Sequence, residues 1–407
     1  MSVLLLSERK GKFKMLKINP SSRLITSILL FAVLCTSTFG KTIYVDDDAT
    51  GTNDGTSWEN AYMLLQDALA DANSIEKPVE IRVAQGIYKP DQGANQILGN
   101  REATFQLING VTIKGGYAGL IEADPNVKDI TSYRTILSGD LNSDDIQIAD
   151  PCDLYDEPTR IENSYNIITA FKADETTVLD GFVITGGNAK GPVLHNEYPD
   201  EFRLQFGGGM YNKEGDPTLF NCTFTENSAS DGGGLCNSGG NPILTNCVFN
   251  ANFAKSNGGG MYNSWNPWYQ EQCTPTLIKC TFTANVAENG GGMFNETSSP
   301  LINDCVFISN CARWSGGGMC NINDSNPTIN FSKFIANSVI YYGGGLHNDN
   351  SSPMLYNCII IGNKTIMTWS EGGGIMNWAD SSPILVNCTL CDNYAYRGGG
   401  IYNGRNV

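Results

Sequence analysis

Charge is scarce in this chain. Asp, Glu, Lys and Arg make up 17% of its 407 residues, against about 25% in an ordinary soluble domain. Long surface helices need more Lys, Glu and Ala than that, so a helical bundle is not expected. Histidine is nearly absent, with His195 and His347 alone, and there is no pair of Cys-x-x-Cys motifs, which argues against a zinc site. No glycine cluster is followed by the Lys-Ser/Thr of a phosphate loop, and neither a serine-nucleophile elbow nor a dinucleotide fingerprint occurs. The apolar run at 24–34 is too short to span a bilayer comfortably. Basic residues number 26 against 42 acidic ones, a formal net charge of −16. Such a surface repels nucleic acid and anionic lipid, and a polyanionic sugar too unless cations bridge the two.

That short apolar run belongs to a different pattern. Arg9, Lys10, Lys12, Lys14, Lys17 and Arg23 lead into it, and small or polar residues follow as far as Gly40. This is the layout of a secretory signal peptide over 1–40, with Met1 or Met15 as its start. Its removal takes six basic residues and one acidic residue, leaving 20 against 41. The expected destination is secreted, or the cell surface or outer membrane, with the membrane serving only as export route or anchor.

Glycine is what the chain has in excess, 45 residues in all, where an average sequence would carry roughly 7%. Much of it lies in eight copies of one hexapeptide, Gly-Gly-Gly, an aliphatic residue, any residue, Asn, beginning at 207, 232, 258, 290, 316, 343, 372 and 398. A second unit alternates with it, as in "PTLFNCTFTENSA" at 217 and "PILTNCVFNANFA" at 242. A near-constant period of this length marks a solenoid. Within "LFNCTFTEN", Cys222 and Phe224 face one way and Thr223 and Thr225 the other, the period of a β-strand. Proline opens each pair of short strands, where it costs the ladder nothing. The glycine triplets are read as tight corners with backbone angles that other residues avoid.

Coils of a parallel β-helix stack about 4.8 Å apart, so equivalent residues form files. Asn227, Asn252, Asn285, Asn310, Asn337, Asn363 and Asn393 make one file, and the Asn closing each hexapeptide, Asn212 to Asn403, makes another. An amide both donates and accepts, so each Asn can bond the next, and Asn also tolerates a left-handed bend at a corner. Cys222, Cys247, Cys280, Cys305, Cys358 and Cys388 form a third file, with Ser332 as the exception. Parallel stacking holds their β-carbons near about 4.8 Å, wider than the ~3.8 Å of a disulfide, so buried free thiols are expected. Any disulfide is expected among the cysteines outside the file. The fold class is therefore all-β, a right-handed parallel β-helix.

The paired motifs resemble the polymorphic outer membrane protein repeat, in which a Gly-Gly-Ala-aliphatic box alternates with Phe-x-x-Asn. The second box stands here as "FTEN" at 224, "FNAN" at 249, "FTAN" at 282, "FISN" at 307 and "FIAN" at 334. The chain departs from the family where Gly209, Gly234 and their equivalents replace Ala, and where Ile360 and Leu390 replace Phe. The resemblance covers 207–403 and implies a β-helix displayed outside the cell. That family ends in a membrane β-barrel, which is not seen in these residues. The segment "TIYVDDDATGTNDGTSWENAYMLLQDALADA" is similar to the opening of many secreted β-helix proteins, and implies a strand at 42–45 and a short capping helix near 60–72. The expected organisation is a cap with irregular coils over 41–190 and regular repeats over 191–407. The repeat is cut at "IYNGRNV", so a fragment of a longer protein is expected.

No catalytic centre is legible. Parallel β-helices include pectate lyases, which need carboxylates on Ca²⁺ and a base. The one suggestive stack is Lys279 beside Asp304, and a salt bridge replacing two ladder amides explains it better. Ca²⁺ is the only cofactor with candidate oxygen ligands, in "DLNSDD" at 140–145 and "YVDDDATGTND" at 44–54. Aromatics that turns do not require sit in the variable loops: Trp265, Trp268, Tyr269, Trp314, Tyr341, Tyr342, Trp369 and Tyr396. Such rings cover their own loops or pack against sugars and proteins. The leading expectation is a non-enzymatic display, adhesion or glycan-binding protein whose partner is an extracellular glycan or cell-surface protein. The alternatives are a pectate-lyase-like lyase or hydrolase and a purely structural stalk or envelope layer.

Overall fold

A computed structural model describes residues 40–93, 95–192, 204–264 and 273–404. The chain is an all-β parallel solenoid of about 11 turns. It is built of four parallel sheets, three long and one shorter. The proline face has 11 strands, from Lys41–Val45 to Ile384–Val386, and the phenylalanine face has 10, from Gly86–Tyr88 to Thr389–Cys391. The glycine face has 10, from Phe105–Gln106 to Ile401–Asn403, and a shorter fourth face has seven, from Asn188–Ala189 to Lys364–Thr365. One coil shows the circuit: Met293–Glu296 on the glycine face, Leu301–Asn303 on the proline face, Val306–Ile308 on the phenylalanine face and Cys311–Ser315 on the short face. The sequence pattern shows only the two middle strands. The short-face strands carry Ser and Ala rather than alternating apolar residues, and the strand after each triplet hides behind its glycines.

Coils lie flush on one another. Leu277 pairs with Ile302, Phe282 with Phe307 and Asn295 with Asn321. Phe224, Phe249, Phe282, Phe307 and Phe334 form an interior stack with centroids 4.6–4.9 Å apart and planes within 5°. Deleting one such ring removes a fully buried side chain, typically a loss of about 3–5 kcal/mol. Each proline lacks an N–H, but its carbonyl keeps the ladder running: Pro300 accepts Thr328 N at 3.1 Å and Pro327 accepts Met354 N at 3.0 Å.

The buried polar files are bonded from coil to coil, and only at the start of the second does an oxygen, Asn212 Oδ1, lie buried without a hydrogen-bond partner among the described residues. Asn285 Nδ2 donates to Asn310 Oδ1 at 2.9 Å and to Phe249 O at 2.8 Å, and its Oδ1 accepts both the backbone N and Nδ2 of Asn252. The file continues through Asn337 and Asn363 to Asn393, each step 2.9 Å. The second file runs from Asn212 through Asn237 to Asn403 with steps of 2.7–3.4 Å. The left-handed bend does not fall on these asparagines. It falls one residue earlier, on Glu226, Ala251, Ala284, Ser309, Ala336 and Asp392 at φ 51–55°, because the Asn itself must point inward. A second bend takes Asn221, Asn246, Lys279, Asp304 and Phe331 at φ 51–54°.

Among the described residues the cysteines are free thiols, both in the file and outside it. Cys247 Sγ lies 3.6 Å from the carbonyls of Leu219 and Thr245. Ser332 fits the same place by donating to Asn330 O at 2.8 Å and accepting Cys305 N at 3.1 Å.

The triplets combine two needs, of which the corner is one. Gly290 bends at φ +61°, whereas a Cβ on Gly292 would sit 2.5 Å from Gly318 O and 3.0 Å from the Phe307 ring. The third glycine is there for close approach. At the first coil a helix, Leu65–Ser74, lays Leu65, Ala68, Leu69 and Ala72 on Ile43 and Val45, closing the apolar end of the stack.

Replacing Asn285 by Ala strands buried donors and acceptors on both neighbouring coils and is expected to cost about 3 kcal/mol. Thr281→Ala, on the outer side of a strand in the same coil, should stay within about 0.5 kcal/mol of wild type. Chemical denaturation of the two variants measures the difference.

Candidate functional site

The short face is where the coils diverge. At its end, bridge pairing aligns Asp231, Asn257, Asn289, Ser315, Tyr342, Glu371 and Arg397 into a file. The residue before each is Ser230, Ser256 or Glu288 in the early coils, and Trp314, Tyr341 and Tyr396 in later ones, with Trp369 inserted ahead of Ser370. An aromatic strip therefore begins at Trp314 and gains one ring per coil. Trp314 is 42% exposed, Tyr342 37%, Trp369 66% and Tyr396 54%.

Trp314 and Tyr341 stack at 4.8 Å with planes 11° apart, and Trp369 meets Tyr396 at 5.3 Å and 56°. Arg313 lies over Trp314 at 5.4 Å, and Arg397 over Trp369 at 5.5 Å. Each arginine has a carboxylate partner: Arg313 meets Glu288 at 3.8 Å and Arg397 meets Glu371 at 3.2 Å. The strip is thus aromatic and close to neutral. Trp369 adopts φ +78°, a conformation that costs a bulky residue about 1–3 kcal/mol. Around it, Ser370 Oγ bonds Thr365 Oγ1 at 2.7 Å, Ser370 N bonds Met367 O and Arg397 N bonds Ser370 O.

Ahead of the strip the file is polar. Asp231 accepts the backbone N and Nδ2 of Asn257 at 3.1 and 2.8 Å, and Ser315 Oγ donates to Asn289 Oδ1 at 2.8 Å. Burial pushes the Asp231 carboxyl up to about 6 despite those bonds.

The structure brings together Trp314, Tyr341, Tyr342, Trp369 and Tyr396 from the sequence set. Trp265, Trp268 and Tyr269 lie outside the described residues. Sequence reasoning missed Arg313, Arg397 and the exposed Tyr394, although the adjacency in "RW" at 313 and "YR" at 396 was a usable signal. Lys279 and Asp304 are exposed neighbours at the left-handed corner between the proline and phenylalanine faces, with Lys279 N bonded to Asn303 O at 2.9 Å. Among the described residues no ion pair joins them, so the salt-bridge reading fails. Their φ values of 54° and 53° fix the side chains' exits in parallel, facing solvent.

Both stretches picked for Ca²⁺ gather carboxylates. Oxygens of Asp46, Asp47 and Asp48 lie within 4.8 Å of one another, as do those of Asp140, Asp144 and Glu162. Asp46 already accepts Leu120 N at 2.8 Å and Asp48 N at 3.1 Å, and the two oxygens of Asp140 accept the backbone N of Asp144 and Asp145. Asp145 meets Arg160 at 3.3 Å and Asn163 Nδ2 at 2.8 Å. Burial raises Asp46, Asp47, Asp145 and Glu162 above the ordinary carboxylate range. These oxygens suit a hard cation, and the bonds in place already make both stretches ordered turns.

No family model matches the chain, and no curated protein matches it. Solved structures do. The chain is similar to the pectate lyase Pel9A, at 13% identity over 87% of this chain and 79% of that one, with a TM-score of 0.44. It is similar to the pectin methylesterase PemA from Erwinia chrysanthemi, at 10% identity over 87% and 90%, with a TM-score of 0.40. It is also similar to a rhamnogalacturonan lyase, at 10% over 86% and 88%, with a TM-score of 0.38. Values this low say nothing about activity.

The Asp231 carboxyl titrates near 6 in the folded chain and near 3.9 when unfolded. Below about pH 4 it is protonated in both states and costs nothing, whereas above about pH 6 folding must hold a buried anion. Asp231→Asn keeps the acceptor for Asn257 and removes that charge. It is expected to stabilise the chain by up to about 2 kcal/mol at pH 8 and to match wild type at pH 4, as read by thermal unfolding at the two pH values.

Proposed function

We propose that this chain is an exported, non-catalytic β-solenoid that holds an extended neutral glycan along the strip of Trp314, Tyr341, Trp369 and Tyr396. The observation that carries the reading is the strip itself: rings on four successive coils at one edge of the solenoid, with Trp314, Trp369 and Tyr396 exposed and Tyr341 half-buried against Trp314. Sugar rings pack their C–H faces on such surfaces, and a polymer gains from several in line. Neutrality follows from charge. Arg313 and Arg397 are already paired with Glu288 and Glu371, and the chain's net charge of −16 opposes a polyuronate. Export rests on the basic, apolar and small segments of residues 1–40, and display at a cell surface on the resemblance of the repeat.

A lyase would need its base beside a carboxylate-held cation. Lys279 sits on a different coil from both acidic clusters, and no observation favours that reading.

Affinity electrophoresis through gels containing soluble neutral polysaccharides, with polygalacturonate as the charged comparison, tests the proposal. Retardation is expected in at least one neutral gel and in none containing polygalacturonate. Loss of one ring contact is worth about 1.4 kcal/mol, so Trp369→Ala and Tyr396→Ala should each weaken binding about tenfold. Trp378→Ala, an exposed tryptophan on the glycine face, should not. Equal retardation of all three variants, or binding only to the polyuronate, contradicts the reading.

A further inference from the structure

Between the strands Thr135–Ser138 and Ile168–Phe171 the chain leaves the solenoid in an excursion that glycan binding does not use. It departs through Asp140, Asp144 and Asp145 and returns through Arg160, Glu162 and Asn163. In between, Tyr155 packs on Phe253 at 6.1 Å and its hydroxyl meets Ser230 Oγ at 3.3 Å, so the excursion covers the short face of later coils. Its two ends meet at one point. One carboxylate oxygen from each of Asp140, Asp144 and Glu162 lies within 4.8 Å of the other two.

Acidic side chains often gather at a surface with no ion between them. Here the buried oxygens add a second demand. Asp145 Oδ1, Glu162 Oε1 and Asn163 Oδ1 are buried without a hydrogen-bond partner among the described residues, and Asn163 is fully buried. Asn163 Nδ2 donates to Asp145 Oδ2 at 2.8 Å and to Gly186 O at 2.7 Å. The oxygen of the same amide therefore lies within about 5 Å of the Asp145 carboxyl. Asp145 is tied in turn to Asp140, whose two oxygens accept the backbone N of Asp144 and of Asp145. All three orphaned atoms are acceptors, so what they lack is a donor or a cation. Charge points the same way. Four carboxylates gather here, and Arg160, 3.3 Å from Asp145, is the one basic side chain paired with them among the described residues. Lys89 reaches the same turn but bonds Leu141 O and Ser143 Oγ. The acidic group at 46–48 makes no such demand, since both oxygens of its buried member, Asp46, accept backbone N–H groups.

We propose that Asp140, Asp144 and Glu162 bind one Ca²⁺ ion, whose waters donate to Asp145 Oδ1 and Asn163 Oδ1. Two oxygens on opposite sides of a Ca²⁺ held at about 2.3–2.6 Å stand roughly 4.6–5.2 Å apart, and the three carboxylates already fit that span. Ca²⁺ takes about six to eight oxygens and accepts a mixed shell of carboxylates and waters. Asp144 is exposed, and the ion enters on its side. Once bound, the ion ties the two ends of the excursion together and holds Tyr155 over the short face.

The test uses the full chain, stripped with chelator and titrated calorimetrically with Ca²⁺ up to about 1 mM. One equivalent should bind. Asp144→Asn and Glu162→Gln should each weaken that binding at least tenfold, and Asp48→Asn should leave it unchanged. Mg²⁺, which gives up its own waters reluctantly, should bind at least tenfold less tightly. Hydrogen exchange of the wild-type chain, read by mass spectrometry in Ca²⁺ and in EDTA, locates the ion without any variant. Exchange should slow at least tenfold across 140–163. Absence of a bound ion overturns the proposal, and so does protection confined to 44–54. Undiminished affinity in Glu162→Gln, or Mg²⁺ bound as tightly as Ca²⁺, overturns it too. Should a variant fail to fold, the exchange map of the wild-type chain decides by itself.

Discussion

Everything in this molecule depends on the contact between one coil and the next. No coil is self-sufficient. The backbone N–H of Asn252, its side-chain amide and the carbonyl of Phe249 are buried, and only Asn285 on the following coil satisfies all three. An unpaired buried polar group costs about 1–3 kcal/mol, so the stack is cooperative in its polar groups as much as in its phenylalanines. The repeats of the sequence are the record of that requirement. A residue that must bond its own image has to recur at the coil period, and Asn, whose amide is both donor and acceptor, is the side chain that can do so without limit.

This explains which parts were legible from the residues alone. The asparagine and cysteine files and the Cys222/Phe224 inward pattern follow from period and chemistry, and the structure has them; a helix near 60–72 was implied only by the resemblance of the opening segment, and it lies at Leu65–Ser74. The place of the left-handed bends did not follow. Propensity assigns such bends to Asn or Gly, but the ladder holds the inward position for Asn227 and its equivalents and moves the bend onto Glu226, Ala251 and Ala284. At the second corner the bend does fall on Asn in Asn221, Asn246, Asn357 and Asn387, and Lys279, Asp304 and Phe331 take the same conformation where they replace it. The glycine triplets were half legible. Gly290 needs its φ, while Gly292 answers to a carbonyl and a ring on the next coil that a linear reading cannot place.

The aromatic strip was legible as a set of rings and not as a surface. Trp314, Tyr341, Trp369 and Tyr396 stand out because turns do not need them, but their alignment depends on the bridges Ser315 to Tyr342 and Glu371 to Arg397. The partners that neutralise the arginines come from other coils. In a solenoid, a site is written across coils, one residue at a time, on a frame whose rigidity is supplied by the ladders beneath.

The most direct measurement is hydrogen exchange of the side-chain amides of Asn252, Asn285, Asn310 and Asn337, followed by ¹⁵N NMR in the intact chain. Flush stacking predicts that their Nδ2 protons exchange as slowly as the backbone amides of the core strands, through global unfolding alone. Exchange at the rate of an exposed amide, while the neighbouring backbone stays protected, would show that the ladder does not exist and that the coils are held by something else.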